Sequence, residues 1–169
     1  FNGYLNPVEV IGYEKFVAYA KDCGVDGVLL VDLPPEESKQ FGDVLKQNEM
    51  DQIFLLAPTS TDKRIQHVVN QASGFVYYVS LKGVTGAATL DTSEAAARIA
   101  KIKSMTNVPV GVGFGISDAA SAKAMGQVAD AVIVGSAFVK SFATLPADDA
   151  VQETVNKVKE LRAALDELV

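Results

Sequence analysis

An α/β fold built on a parallel sheet is predicted by three observations. Apolar runs of strand length alternate with helical patterns from end to end of the chain. The runs are apolar at nearly every position instead of every second one, as strands covered on both faces by helices require. Each of the last two runs ends in a glycine turn that leads straight into a helical pattern.

Taken in order, FNGYLNP reads as the tail of a strand, with a stub over residues 1–5. A helix is expected over about 9–23, closed by Gly24 at the position where a left-handed glycine commonly ends a helix. VDGVLLVDL (25–33) is the first complete strand. In PPEESKQFGDVLKQ (34–47), proline and two glutamates occupy a first turn. There an absent N–H costs nothing, and carboxylates meet the positive end of the helix dipole. QIFLLAP (52–58) is a second strand, and STDKRIQHVVNQA (60–72) is a helix opening on capping residues. GFVYYVSL (74–81) comes next as a strand and DTSEAAARIAKIKSM (91–105) as a capped helix. The last strands are VPVGVGF (108–114) and DAVIVGS (130–136), separated by the helix SDAASAKAMGQV (117–128). A short helix over 136–143 and a long one over about 148–167 close the chain.

At 169 residues the chain is expected to form one domain, residues 1–169, able to bury roughly two thirds of its unfolded surface. Its net charge of −6 argues against nucleic acid or an anionic membrane as partner. A single cysteine, Cys23, has no internal disulfide partner, and no apolar run approaches the ~18 residues of a membrane span. A cytoplasmic address is the expectation.

Backbone N–H groups at the carboxyl end of a parallel strand, joined by the N-terminus of the next helix, suit an anion such as phosphate. Glycine lets the backbone approach the oxyanion closely. Gly113–Phe114–Gly115 ahead of Ser117, and Gly135–Ser136 ahead of AFVKSF, therefore read as two arms of a phosphate cradle. KGVTG (82–86) is a candidate third arm. The competing reading is that these glycines serve only tight turns and close packing.

Many eight-stranded barrels hold phosphate with the loops after strands seven and eight. On that register the five complete strands are four to eight, and the stub is the end of strand three. A typical barrel of this kind takes ~250 residues, so the expectation is a truncated one, lacking roughly 80 residues of its first strands.

FNGYLNPVEVIGYEKF, DGVLLVDLPPEES, FVYYVSLKGVTGA, VPVGVGFGIS and VIVGSAFVK together resemble the α subunit of bacterial tryptophan synthase, in the family's order and over all 169 residues. The resemblance implies a truncated TIM-barrel-type (βα) fold. It implies cleavage of indole-3-glycerol phosphate to indole and glyceraldehyde 3-phosphate, with indole passed to a pyridoxal-phosphate β subunit in a heterotetramer. It implies no cofactor in this chain itself. By position it assigns phosphate contacts to Gly86, Gly115, Gly135 and Ser136, indole contacts to Leu29 and Phe114, and a mobile closing loop to Thr85. It also puts Tyr78 beside the cleavage chemistry, and Tyr4 and Asn6, with the loop after Asp32, towards the β subunit.

The family's two catalytic carboxylates come from the second strand and the loop after it, and neither has a counterpart in these residues. Asp32 is the one carboxylate at a strand's carboxyl end; catalysis and a capping or loop-orienting role both stay open for it. Glu36 and Glu37 suit the first turn of a helix. Without an acid–base pair the chain alone is expected to be inactive.

His67 lies in a helical pattern with no partner at metal-ligand spacing, so a surface or packing role is expected and no metal site. Cys23 reads as structural, and Lys82 as either a phosphate contact or a solvated loop lysine. Tyr77 and Tyr78 alternate faces, so only one can point into a barrel. The alternative to an enzyme is a non-catalytic phosphate-binding partial barrel that self-associates through its open strand edges.

Overall fold

The protein is described by a computed structural model covering residues 1–79, 92–113 and 115–168. It divides into two compact units, Phe1–Tyr77 with Ile102–Pro109, and Tyr78–Lys101 with Val110–Val169.

The first unit opens with β1 (Asn2–Gly3), succeeded directly by α1 (Leu5–Ile11) and α2 (Tyr13–Asp22). The sequence predicts one helix beginning near residue 9; two helices form instead. Pro7 is tolerated because it falls in the first turn of α1, where its missing N–H has no intrahelical acceptor to lose. Gly12 divides the pair. At φ 90° it leaves the helical region while its N–H still bonds to Val8 O at 2.9 Å, and α2 begins at the next residue.

β2 (Gly27–Leu30) and β3 (Asp51–Leu56) extend the sheet in chain order. β1 pairs parallel with β2 in the register Asn2↔Leu29, and β2 with β3 in the register Leu29↔Ile53. The helix expected over 34–47 is broken into a 3₁₀ turn (Pro35–Glu37) and α3 (Lys39–Gln47). Ser38 marks the break: fully buried, its hydroxyl lies 2.9 Å from Pro35 O and 2.8 Å from Gln71 Oε1. α4 (Asp62–Val69) starts as expected, with Thr61 Oγ1 accepting from Arg64 N. β4 (Val76–Val79) begins in this unit, and Val76 N bonds to Pro109 O at 2.8 Å.

The core of the first unit lies between its strands and α2–α3. Val28 and Leu30 on β2 meet Val17 and Ala20 from α2 and Phe41, Val44 and Leu45 from α3. Phe41 packs against Tyr13 and Phe16, with ring centroids 5.1 and 6.2 Å away. Tilted aromatic packing of this kind adds to the area it buries. Tyr13 also donates to Glu9 Oε1, and burial first, then the Glu9 carboxylate, pushes its phenol up.

The second unit contains α5 (Thr92–Lys103, its last turn entering the first unit), β5 (Val110–Gly113), α6 (Ala119–Gly126), β6 (Ala131–Val132), α7 (Ser136–Thr144) and α8 (Ala147–Asp166). β5 and β6 are parallel, in the register Gly111↔Ala131 and Val112↔Val132. The strand expected over 130–136 keeps ladder geometry for two residues only, although Ile133 N still reaches Val112 O at 2.8 Å. α8 packs across α6 and α7, turning Ala150, Leu161 and Ala164 inward. The amphipathic pattern expected of this helix is present, yet Val151, Val155 and Val158 are exposed.

Phe41 is 1% exposed and central to the aromatic cluster, so Phe41→Ala removes both buried area and packing partners. We expect a loss of about 3 kcal/mol in denaturant unfolding. Val151→Ser, at a position 52% exposed, should stay within about 0.5 kcal/mol of the parent.

Candidate anion site at the ends of two parallel strands

In the pairing of β5 with β6, residue n faces residue n + 20. Gly115 and Gly135 each lie three residues beyond the ladder pair Val112↔Val132. Neighbouring strands lie about 4.8 Å apart, so both turns emerge from one edge of the sheet, at the ends where parallel strands direct their N–H groups. Gly115 takes φ 62°, the left-handed region that glycine occupies without strain, and Ile116 beyond it is buried.

The helices beyond the two turns have different N-termini. Asp118 caps α6: its Oδ1 accepts from Ser121 N at 2.8 Å, while Ser121 Oγ lies 3.3 Å from both Ser117 N and Asp118 N. α8 completes the closure, with Lys157 Nζ donating to Ser117 O and Glu160 Oε1 accepting from Ala119 N. Hydrogen bonds from the Ser121 amide and hydroxyl hold the Asp118 carboxyl below its usual range. The start of α6 thus has Ser117 N, Asp118 N, Ala119 N and Ser121 N bonded to side chains, and it carries the Asp118 carboxylate. Gly115, ahead of the cap, is unaffected by this.

α7 is built the other way. Gly135 is its N-cap, no side chain caps the first turn, and Gly135 O accepts from Phe138 N and Val139 N. A Cβ at Gly135 would meet nothing within 4 Å. Ser136 is the first helical residue, exposed like Gly135. The uncapped amides of this turn and the positive end of the helix dipole suit an anion.

The other expected residues are spread over both units. Leu29 is 5% exposed on β2, and it does not join the cluster that Val28 and Leu30 join, so it lies on the opposite face of the sheet. Asp32 Oδ1 accepts the N–H of Leu5, 27 residues earlier, at 2.7 Å. It thereby caps α1, whose own N-cap residue, Tyr4, offers no side-chain bond. This geometry supports the loop-orienting role for Asp32. Tyr4 and Asn6 are exposed at the start of α1. Thr85, Gly86, Phe114 and Lys82 lie outside the described residues.

Tyr78 is sealed, 1% exposed, on the same face of β4 as Val76. Tyr77 on the opposite face is half-buried, and burial pushes its phenol up. Adjacent tyrosines in a strand that is apolar on both sides carry no sequence signal of which one stays accessible. His67 is half-buried, its Nε2 2.6 Å from Gln71 Nε2, an amide-to-ring bond that fits the packing role expected. Cys23 is exposed at the C-cap of α2. Among the described residues no three His, Cys, Asp or Glu side chains gather at metal-binding distance, and no helix is long and apolar enough to cross a membrane.

Residues 2–169 match the family model described as tryptophan synthase alpha chain. The chain belongs to the tryptophan synthase alpha chain family. A tryptophan synthase alpha chain of Acinetobacter baumannii is 89% identical over 167 residues, covering 99% of this chain, and one of Acinetobacter baylyi is 85% identical. The chain spans 62% of the length of these curated relatives. Among solved structures, tryptophan synthase subunit alpha from Legionella pneumophila superposes with TM-score 0.85 at 34% identity, over 98% of this chain and 62% of that one. The tryptophan synthase complex from Pyrococcus furiosus gives 0.83 at 32% identity, over 96% and 64%. The fold is therefore the family's parallel (βα) barrel type, seen over part of its length.

Because Asp118 is held as a carboxylate by its cap, its contribution to stability is present above its unfolded pKa of about 3.9 and is lost as pH falls through the lower folded value. Asp118→Ala should cost about 1 kcal/mol at neutral pH. The difference from the parent should shrink below about pH 4, as measured by denaturant unfolding across pH.

Proposed function

We propose that this chain functions as a tryptophan synthase alpha chain. It supplies the substrate-phosphate site and the indole pocket for aldol cleavage of indole-3-glycerol phosphate to indole and glyceraldehyde 3-phosphate. The observation that carries the reading is the uncapped first turn of α7 at Gly135–Ser136, level with the left-handed Gly115, in a chain matching the family over residues 2–169. Gly115, Gly135 and Ser136 hold phosphate, with Gly86 as a further contact. Leu29 and Phe114 flank the indole, and Thr85 belongs to the loop that closes over it. Tyr4, Asn6 and the loop after Asp32 face a β subunit, which holds the pyridoxal phosphate; this chain takes no cofactor of its own. Residues 1–169 belong to one barrel domain, and the enzyme is cytoplasmic.

The phenol we assign beside the substrate is Tyr77 in place of Tyr78, since a sealed ring cannot meet a ligand that enters from solvent. Asp32 is a positioning residue that ties the loop after β2 to the start of α1. That leaves no proton-transfer pair at the strand ends among the described residues. Each absent acid or base forfeits about 10²–10⁴-fold, so the 169-residue chain is inactive by itself. The second reading is a non-catalytic phosphate-binding partial barrel that self-associates through its open strand edges.

Indole release from indole-3-glycerol phosphate tests the first reading. The chain alone should be silent, and adding a polypeptide that supplies the rest of the relatives' length should restore turnover. Turnover by the chain alone, abolished by Asp32→Asn, would instead make Asp32 the catalyst.

Gly135→Ala tests the phosphate site separately. Its φ of −124° suits alanine and the added methyl meets nothing, so stability should stay within about 0.5 kcal/mol of the parent. The methyl would stand where the oxyanion approaches, so affinity for glyceraldehyde 3-phosphate, measured by calorimetry, should fall about tenfold or more.

A further inference from the structure

Within the first unit, a cleft of about 780 Å³ opens between α3 and α4, on the strand end where β3 begins. Its floor includes Gly42, Met50 and Gln52, and its far wall includes Asn70, Gln71 and Ser73. Gln52 is 8% exposed. Its backbone is satisfied twice by Ser73, the N–H donating to Ser73 Oγ and the carbonyl accepting from Ser73 N, both at 3.0 Å. Its side-chain amide makes no hydrogen bond to any described residue. That amide is not walled off, because the sealed polar side-chain atom without a partner among the described residues is Thr154 Oγ1. The head group lies against Gly42, where a Cβ would collide with Gln52 Oε1, and Gly42 itself lines the cleft. Gln52 thus lines the cleft with its head group beside Gly42.

Buried polar groups in native proteins find partners, protein or otherwise, and a primary amide needs a donor and an acceptor side by side. A single molecule satisfies both atoms when it presents an N–H next to a C=O. Charge narrows the class further. Four carboxylates line the cleft, on Glu36, Asp43, Glu49 and Asp51, against the ammonium groups of Lys39 and Lys46. Lys39 is paired with Asp43 and Lys21 with Glu49, which leaves Glu36 and Asp51 against Lys46. An anion would be repelled, while a neutral or cationic molecule would not. The volume falls in the range of small-molecule sites.

We propose that the α3–α4 cleft binds a neutral or cationic small molecule through a carboxamide or lactam edge paired with the amide of Gln52. The site lies wholly within the first unit, uses none of the residues assigned to phosphate or indole, and stands or falls independently of the lyase reading.

Nicotinamide, a flat neutral carboxamide, and nicotinate, its anionic counterpart of the same shape, are the probes. Titration of the full chain by calorimetry, with the Gln52 side-chain N–H signals followed by NMR, should give saturable nicotinamide binding with Kd of about 1 mM or tighter. Nicotinate should bind at least about tenfold more weakly. Gln52→Leu should weaken nicotinamide about tenfold or more without lowering the unfolding midpoint, because it removes the unpaired group and keeps the bulk. Gln52→Met serves if the leucine variant misfolds. Equal binding of the two probes, binding retained in both variants, or no saturable binding would assign the amide to water and overturn the proposal.

Discussion

The parallel ladder between β5 and β6 is the constraint on which the candidate site depends. With Gly111 opposite Ala131 and Val112 opposite Val132, the strands run level, so the turn after β5 emerges beside the turn after β6. A slip of one residue would turn every side chain of β6 to the other face and misalign Gly115 with Gly135. Ile133 N extends the ladder to Val112 O, which is how a two-residue strand still sets the height of the turn after it.

On that frame, capping decides which helix end is free to meet a ligand. α6 and α7 both begin at glycine turns on the same sheet edge. α6 spends its first-turn donors on Asp118 and Ser121 and adds side chains from α8. α7 has a glycine at its N-cap and spends none on side chains. A capped end adds stability; an uncapped one in open space forgoes about 1 kcal/mol and keeps its amides for an anion.

The first unit resolves its polar groups over long sequence distances. Asp32 reaches back 27 residues to cap α1, and Ser38 reaches forward 33 residues to Gln71, which in turn meets His67. These bonds tie the loop after β2 to both flanking helices. Ser60, also buried, accepts from the N–H of Ala57. Beside Ser38 and Ser60, the buried Gln52 has no side-chain hydrogen bond among the described residues.

Local chemistry made much of this legible from the sequence. Unbroken apolar runs announced a parallel sheet, since strands between two helical layers bury both faces. The glycines at 115 and 135 marked turns beyond the strands because backbone freedom is a property of the residue itself. The motifs around them were specific enough to indicate the family. Three decisions belonged to the tertiary structure. Gly12 divided one helix that looked continuous by taking φ 90°, and Ser38 divided another by bonding to Gln71, 33 residues on. Tyr77, not Tyr78, kept its access, because alternation along a strand does not say which face is sealed. Asp32 became a cap and Gln52 an unpaired amide through partners, found or missing, that lie far away in sequence. Periodicity and turn chemistry act over a few residues and can be read from a string of letters; satisfaction of polar groups depends on what the fold brings alongside them.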